Sequence, residues 1–247
     1  MKTATPAGNR KSLIAEGTVQ QEVEAVLAWL KGTGTQKGRD AMARYAIPSD
    51  KAFGVSVGAL QKQARGLGRS HALAVALWDS GWYEARMMAA YVEDPAQVTA
   101  AQMDRWCRDF DNWAICDTVC FVLFDRTPHA WSRVEAWSRR RDEYVKRAAF
   151  ALLWGLTVHD KVAPDARFSA GLALVERGAE DERHFVKKAV NMALRAIGKR
   201  NAALNAAAVK LARRLAGSDN AAAQWVGKDA LWELTGASVA RRLGARR

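Results

Sequence analysis

Val145-Lys-Arg-Ala-Ala-Phe-Ala-Leu152 and Val186-Lys-Lys-Ala-Val-Asn-Met-Ala193 share one pattern at an interval of 41 residues. A looser match, Gly227-Lys-Asp-Ala-Leu-Trp-Glu-Leu234, follows at the same interval. Within each block apolar residues recur every three or four positions, the spacing that lines one face of a helix. A period of about 40 residues holds two helices and is too short for a domain. The pattern therefore predicts helix pairs that stack, each burying the apolar face its neighbour cannot bury alone.

The same periodicity runs outward in both directions. Val19, Val23, Val26, Leu27 and Leu30 make one stripe, with Gly32 as its stop. Ser56 is placed to cap a helix through Leu67, ended by Gly66 and Gly68; Ser70 is placed to cap His71–Trp78, closed by Gly81. Further helices are predicted near 83–93, 97–109, 112–125, 129–139, 142–156, 165–177, 182–199, 201–216 and 219–235. Pro48, Pro95, Pro128 and Pro164 fall between these segments, where they break the chain without spoiling a helix. No alternating strand and no Asn-Gly or Asp-Gly hairpin turn is evident. The fold class expected is all-α, a curved α-solenoid of HEAT-like helix-pair repeats whose second helices form the concave face. One repeat domain is expected over 18–239, after a flexible segment at 1–17 and before a basic tail at 240–247.

Composition agrees with a folded helical chain. Of 247 residues, 49% are hydrophobic and 26% charged, which excludes disorder over most of the length, and five prolines leave helices uninterrupted. No uncharged apolar window reaches the length of a membrane span, and residues 1–17 lack the apolar stretch of a secretory signal. Cys107, Cys116 and Cys120 are an odd number, which speaks for a reduced, cytoplasmic setting. Cys116 and Cys120 have no histidine near them in sequence and make a poor zinc site. The charge is one-sided. Residues 1–130 hold 15 basic against 14 acidic residues, and residues 131–247 hold 23 against 12, within a net charge of +12. A surplus so placed points to a polyanion, nucleic acid before membrane. An acidic protein held on a helical scaffold is the alternative.

Gly-rich phosphate loops, an HExxH pair and a GxSxG elbow are all absent. The unusual segment is Asp109-Phe-Asp-Asn-Trp-Ala-Ile-Cys-Asp117-Thr-Val-Cys-Phe-Val-Leu-Phe124. On a helical wheel Trp113, Asp117, Cys120, Phe121 and Phe124 share a face. A carboxylate among aromatics is costly unless it is paired or opens onto a site. Arg147 is a candidate partner, although Glu143 one turn earlier on the same helix could claim it. Farther on, Lys188, Met192, Arg195 and Lys199 fall on one stripe of a helix, with Asn191 beside them and Val186, Ala189, Val190, Ala193 and Ile197 opposite. The dipeptides Lys146-Arg147 and Lys187-Lys188 recur at equivalent repeat positions, as phosphates recur along a nucleic acid.

Five blocks in order carry a family resemblance: Phe53–Leu60, Leu77–Arg86, Asp111–Cys120, Val145–Leu153 and Phe185–Asn201. Over roughly residues 19–215 the chain resembles the AlkD-like DNA alkylation repair enzymes, DNA glycosylases built from HEAT-like repeats. The resemblance implies hydrolysis of the N-glycosidic bond of cationic alkylated purines, N3-alkyladenine and N7-alkylguanine, in duplex DNA without deep base flipping. It implies Asp117 as the catalytic carboxylate, Trp113 as the aromatic one turn before it and Arg147 as the DNA-contacting arginine of the site. It puts a second active-site tryptophan at Met192, where this chain departs, and an arginine one turn later at Arg195, where it agrees. Arg147, with Lys146, Lys187, Lys188, Arg195, Lys199 and Arg200, would then hold flanking phosphates, and Met192 would face the same DNA. A cationic base leaves as a neutral molecule and needs no general acid. A fixed carboxylate can stabilise the oxocarbenium-like sugar and orient water, with an indole face against the positive charge. No cofactor and no metal is expected; the partner is double-stranded DNA containing alkylated bases, met by a monomer away from any membrane. Members of the family that bind unusual DNA structures without excision supply the alternative, a HEAT-repeat DNA-binding or scaffolding protein.

Overall fold

A computed structural model describes residues 18–244. The segment expected to be flexible at 1–17 lies outside the described residues, as do Ala245, Arg246 and Arg247. Every regular element among the described residues is helical. The chain divides into two compact units at Asp94 and Pro95, a boundary that no linker-like composition marks within the single stretch 18–239.

The first unit holds α1 (Val19–Thr33), α2 (Gln36–Ala43), α3 (Val57–Leu67), α4 (His71–Asp79) and α5 (Tyr83–Val92). Thr18 opens α1 with a reciprocal capping box: its hydroxyl accepts from the Gln21 amide, and its own amide donates to Gln21 Oε1 at 2.8 Å. Ser56 and Ser70 cap α3 and α4 through the amides of Ala59 and Leu73. Gly32 does not stop α1, which runs one residue further. A Cβ there would touch nothing within 4 Å, so it costs the helix only its propensity. Helix α2 escaped the periodicity because it buries one side chain, Met42. The loop after it is fastened by Glu84 of α5, wholly buried, whose carboxylate accepts the amides of Phe53, Gly54 and Val55 at 2.9, 2.6 and 3.1 Å. Gly54 sits at φ +81°, and its carbonyl lies 2.2 Å from where a Cβ on Gly38 would be. That contact is open only to glycine at both places.

The second unit holds α6 (Ala100–Arg108), α7 (Trp113–Val122), a 3-10 turn at Phe124–Arg126, α8 (Ala130–Ser138), α9 (Glu143–His159), α10 (Asp165–Gly178), α11 (His184–Gly198), α12 (Ala202–Ala216), α13 (Ala221–Leu234) and α14 (Ala237–Gly244). The 41-residue repeat lands on α9, α11 and α13. Each packs on the next, α7 packs on α9, and α8, α10 and α12 make a second row behind them. The core lies between the rows, with Ala148–Leu153 of α9 and Val190, Ala193, Leu194 and Ile197 of α11 all shut from solvent. The third repeat begins with Gly227 where the others have valine. A Cβ there would stand 2.2 Å from the Ala216 amide nitrogen, so α12 and α13 meet backbone to backbone. Helix α7 ends at Val122, so Phe124 leaves the face shared by Trp113 and Asp117 and is buried in the 3-10 turn. The stretch read as a tail from residue 240 is helical through Gly244. No described helix is long and apolar enough to cross a membrane.

Candidate nucleic-acid interface

Asn112 starts α7. Its side-chain oxygen accepts the Ile115 amide at 3.0 Å, while its Nδ2 donates to Asp111 at 2.7 Å. This cap fixes Trp113 as the first helical residue and Asp117 one turn later on the same side. Across from them, α9 presents Arg147. Its Nε donates to Asp117 Oδ1 at 2.9 Å, its Nη2 to Asp117 Oδ2 at 2.6 Å, and its Nη1 to the Phe185 carbonyl at 2.6 Å. The two planar groups meet as a bidentate pair, the strongest form of such a contact. Arg147 therefore takes Asp117, across the helix–helix seam, and not Glu143. The side chains are 6% and 16% exposed, so the carboxylate sits at the edge of solvent and the guanidinium behind it. Burial pushes the Asp117 carboxyl above the usual carboxylate range, with the Arg147 charge pulling the other way. Burial also works against the Arg147 charge, but Asp117 outweighs it and moves that group upward.

The pair opens into a cleft of about 440 Å³. The four helices of the front row line it: Trp113 and Asp117 from α7, Arg147 from α9, Phe185, Lys188, Asn191, Met192 and Arg195 from α11, and Trp225 and Asp229 from α13. The volume suits a sugar or a base, not a duplex.

A family model for DNA alkylation repair enzymes matches residues 26–234. The chain belongs to the DNA alkylation repair enzyme family. A solved structure described as "a new family of proteins related to the HEAT-like repeat DNA glycosylases with affinity for branched DNA structures" is similar over 90% of this chain and 96% of its own, with a TM-score of 0.73 and 21% identity. At that identity the likeness speaks for the fold, which is the all-α HEAT-like one. A search of curated proteins finds no match.

The structure gathers Trp113, Asp117, Arg147, Lys188, Met192 and Arg195 around one cleft. Lys199 and Arg200 line a second cleft of about 520 Å³, which shares Met192 and Arg195 with the first and adds Trp154, Lys161 and Arg242. Arg200 is held there by the carbonyls of Thr157 and Ala163, with its guanidinium 4.0 Å from the centre of the Phe168 ring. Lys187 lies over the Trp225 ring at 5.1 Å. Lys146 is not brought to the cleft. One residue earlier than Arg147 on α9, it points elsewhere and binds Asp181 at 2.8 Å, 17% exposed. Burial of Asp181 is outweighed by Arg183 and Lys146, which hold its carboxyl well below the usual range.

The charged stripe of α11 also has partners that its own sequence does not reveal. Asn191 donates to Asp229 at 2.5 Å, and Arg195 and Lys199 both reach Glu233 at 2.6 Å. Against the burial that pushes it up, these two cations hold Glu233 below its ordinary value. Lys188 is exposed and has no ion-pair partner among the described residues. Trp225, Phe185 and Asp229 were missed as site residues. The repeat interval was the available signal, since Asp229 stands 41 residues after Lys188, which stands 41 after Arg147.

Proposed function

We propose that this protein is a DNA glycosylase that hydrolyses the N-glycosidic bond of cationic alkylated purines, such as N3-alkyladenine and N7-alkylguanine, in duplex DNA. The observation that carries the reading is a carboxylate, Asp117, held by Arg147 at the edge of a cleft that also contains Trp113. The alkylated base already bears a positive charge and leaves as a neutral molecule once the bond to C1′ breaks. Positive charge then grows on the sugar. Asp117 stabilises it at short range and orients the water that adds to C1′; the water's proton passes to solvent. Trp113 offers its face to the same charge. Arg147 is a positioning residue: it keeps the carboxylate ionised and fixed. Lys188, and Lys187 beside it, meet phosphates on the flank.

A second reading, a DNA-structure binder without excision, is favoured by two observations. Met192 stands where the family resemblance implies a second tryptophan, and both Asp117 oxygens are engaged by Arg147. The test is single-turnover release of N7-methylguanine from alkylated duplex DNA by the parent and by Asp117→Asn. The expected loss is on the order of 10²–10³ in rate, with DNA affinity kept. No release by the parent, with tight binding to branched DNA, would establish the second reading.

A further inference from the structure

Helix α13 ends the row that forms the cleft, and its solvent face is the least ordinary surface of the second unit. Trp232 is 80% exposed and Trp225 38% exposed. Seven residues apart, they lie on one side of the helix, opposite the buried Ala223, Val226, Ala230 and Leu234. Tryptophan so exposed loses hydrophobic free energy unless something covers it.

The surroundings say what covers it. A protein interface wants a contiguous apolar centre, but Trp232 is flanked by Lys228, Asp229 and Glu233 on α13 and by Thr235 at its C-cap. Lys187 lies against Trp225, and Lys228 is one turn before Trp232 and exposed. The two acids are already neutralised by Arg195 and Lys199 of α11. Isolated rings between cations are the arrangement that binds single strands, where bases stack on aromatics and lysines follow the backbone. Along the helix axis the two rings are separated by about 10 Å, roughly three steps of a stacked strand. An intact duplex offers no free base faces to such rings.

We propose that Trp232 and Trp225 on α13 form a stacking platform for an unpaired stretch of DNA beside the Asp117 cleft. The proposal rests on the reading of this chain as a DNA-binding protein and adds a second class of DNA contact to it. A strand running from Trp225 to Trp232 leaves the cleft along α13. A lesion lying next to a gap, nick or fork would then be held at both its paired and its unpaired side.

The test compares the binding of a labelled oligothymidylate of about 12 nucleotides and a blunt duplex by parent, Trp232→Ala and Trp232→Phe. Thermal unfolding checks that the exposed site leaves the fold unchanged. Trp232→Ala should weaken single-strand binding about tenfold and leave duplex binding within about twofold, with Trp232→Phe recovering most of the loss. Single-strand binding unmoved by Trp232→Ala overturns the proposal, as does an equal loss on both DNAs. A parent dimer dissolved by Trp232→Ala, with DNA binding unchanged, assigns the rings to a second copy and overturns it as well. Failure of the parent to bind any DNA would instead overturn the underlying reading.

Discussion

Glu84 in the first unit and Asp117 in the second are both carboxylates taken out of bulk water, and the sequence gives them similar settings among aromatic and small apolar residues. Their partners differ. Glu84 is saturated by three backbone amides of one loop, has no opening, and cannot exchange those donors without unfolding the loop. Asp117 is satisfied by one side chain, on a different helix, at the mouth of a cleft. A buried acid that binds backbone is a fastener. One that binds a side chain beside open space is able to meet a ligand.

The sharpest way to break this comparison is Glu84→Ala. Three amides lose their acceptor, and the expected cost is about 3–5 kcal/mol of stability, read as denaturant unfolding of the first unit. A loss below about 1 kcal/mol would deny the fastening role. Arg147→Met comes next. It strands the Asp117 charge at a cost of about 3 kcal/mol, whereas the double variant with Asp117→Asn should regain much of that. Excision by Arg147→Met should be weak and should rise with pH, because the unpaired carboxyl ionises only under more alkaline conditions. A pH-independent residual rate would remove Arg147 from the positioning role.

A third carboxylate lies between these extremes. Asp125, in the 3-10 turn, is fully shut from solvent and binds His159 Nδ1 at 2.5 Å, and its burial moves its pKa up to about 6. Between roughly pH 4 and 6 the folded chain keeps a proton that the unfolded chain has released. This contribution is therefore complete below pH 4 and lost as pH rises through about 6, a change of about 3 kcal/mol. The parent should lose stability relative to Asp125→Asn as pH rises from 4 to 6 and change little relative to it from 6 to 8; parallel unfolding free energies across pH 4–8, or a gain by the parent, would contradict the shift.

Smaller effects probe the cleft itself. Met192 is half-buried and shared by both clefts, so Met192→Trp should fold and raise excision by about 1 kcal/mol of transition-state stabilisation through cation–π contact. A large drop in melting temperature would show that the thioether is core. Least of all, Glu233→Gln should tighten duplex binding a few-fold and steepen its salt dependence, since Lys199 would face phosphate unopposed and Arg195 would keep only Asp229, at 3.6 Å; unchanged titrations at two salt concentrations would refute it.

Most of the helical frame was legible in the sequence because it rests on local signals. Caps at Ser56 and Ser70 act within three residues, and the stripes that bury α9 and α11 are periodic along single helices. The 41-residue interval even set α9, α11 and α13 side by side. What failed to show were contacts made across that interval. Lys146 and Arg147 are neighbours in sequence but stand about 100° apart on their helix, so one meets Asp181 and the other Asp117. Counting charges along α11 could not reveal that Asp229 and Glu233 of α13 answer them. Trp225 carried no local mark, because an aromatic on a helix is ordinarily core. The break of α7 at Val122 was hidden too, since the run Cys120–Phe124 is apolar throughout and reads as one helix.

The α11–α13 ion pairs have a kinetic meaning. A cation already holding a carboxylate does not draw distant phosphates as a bare one does, so these residues add little to the rate of first encounter. They contribute when a phosphate comes close enough to exchange with Glu233, which demands close fit. On the proposed reading, ordinary duplex would then leave these helices quickly, and DNA seated deeply enough to displace the acid would be retained longer. Selectivity of that kind appears in dissociation and not in arrival.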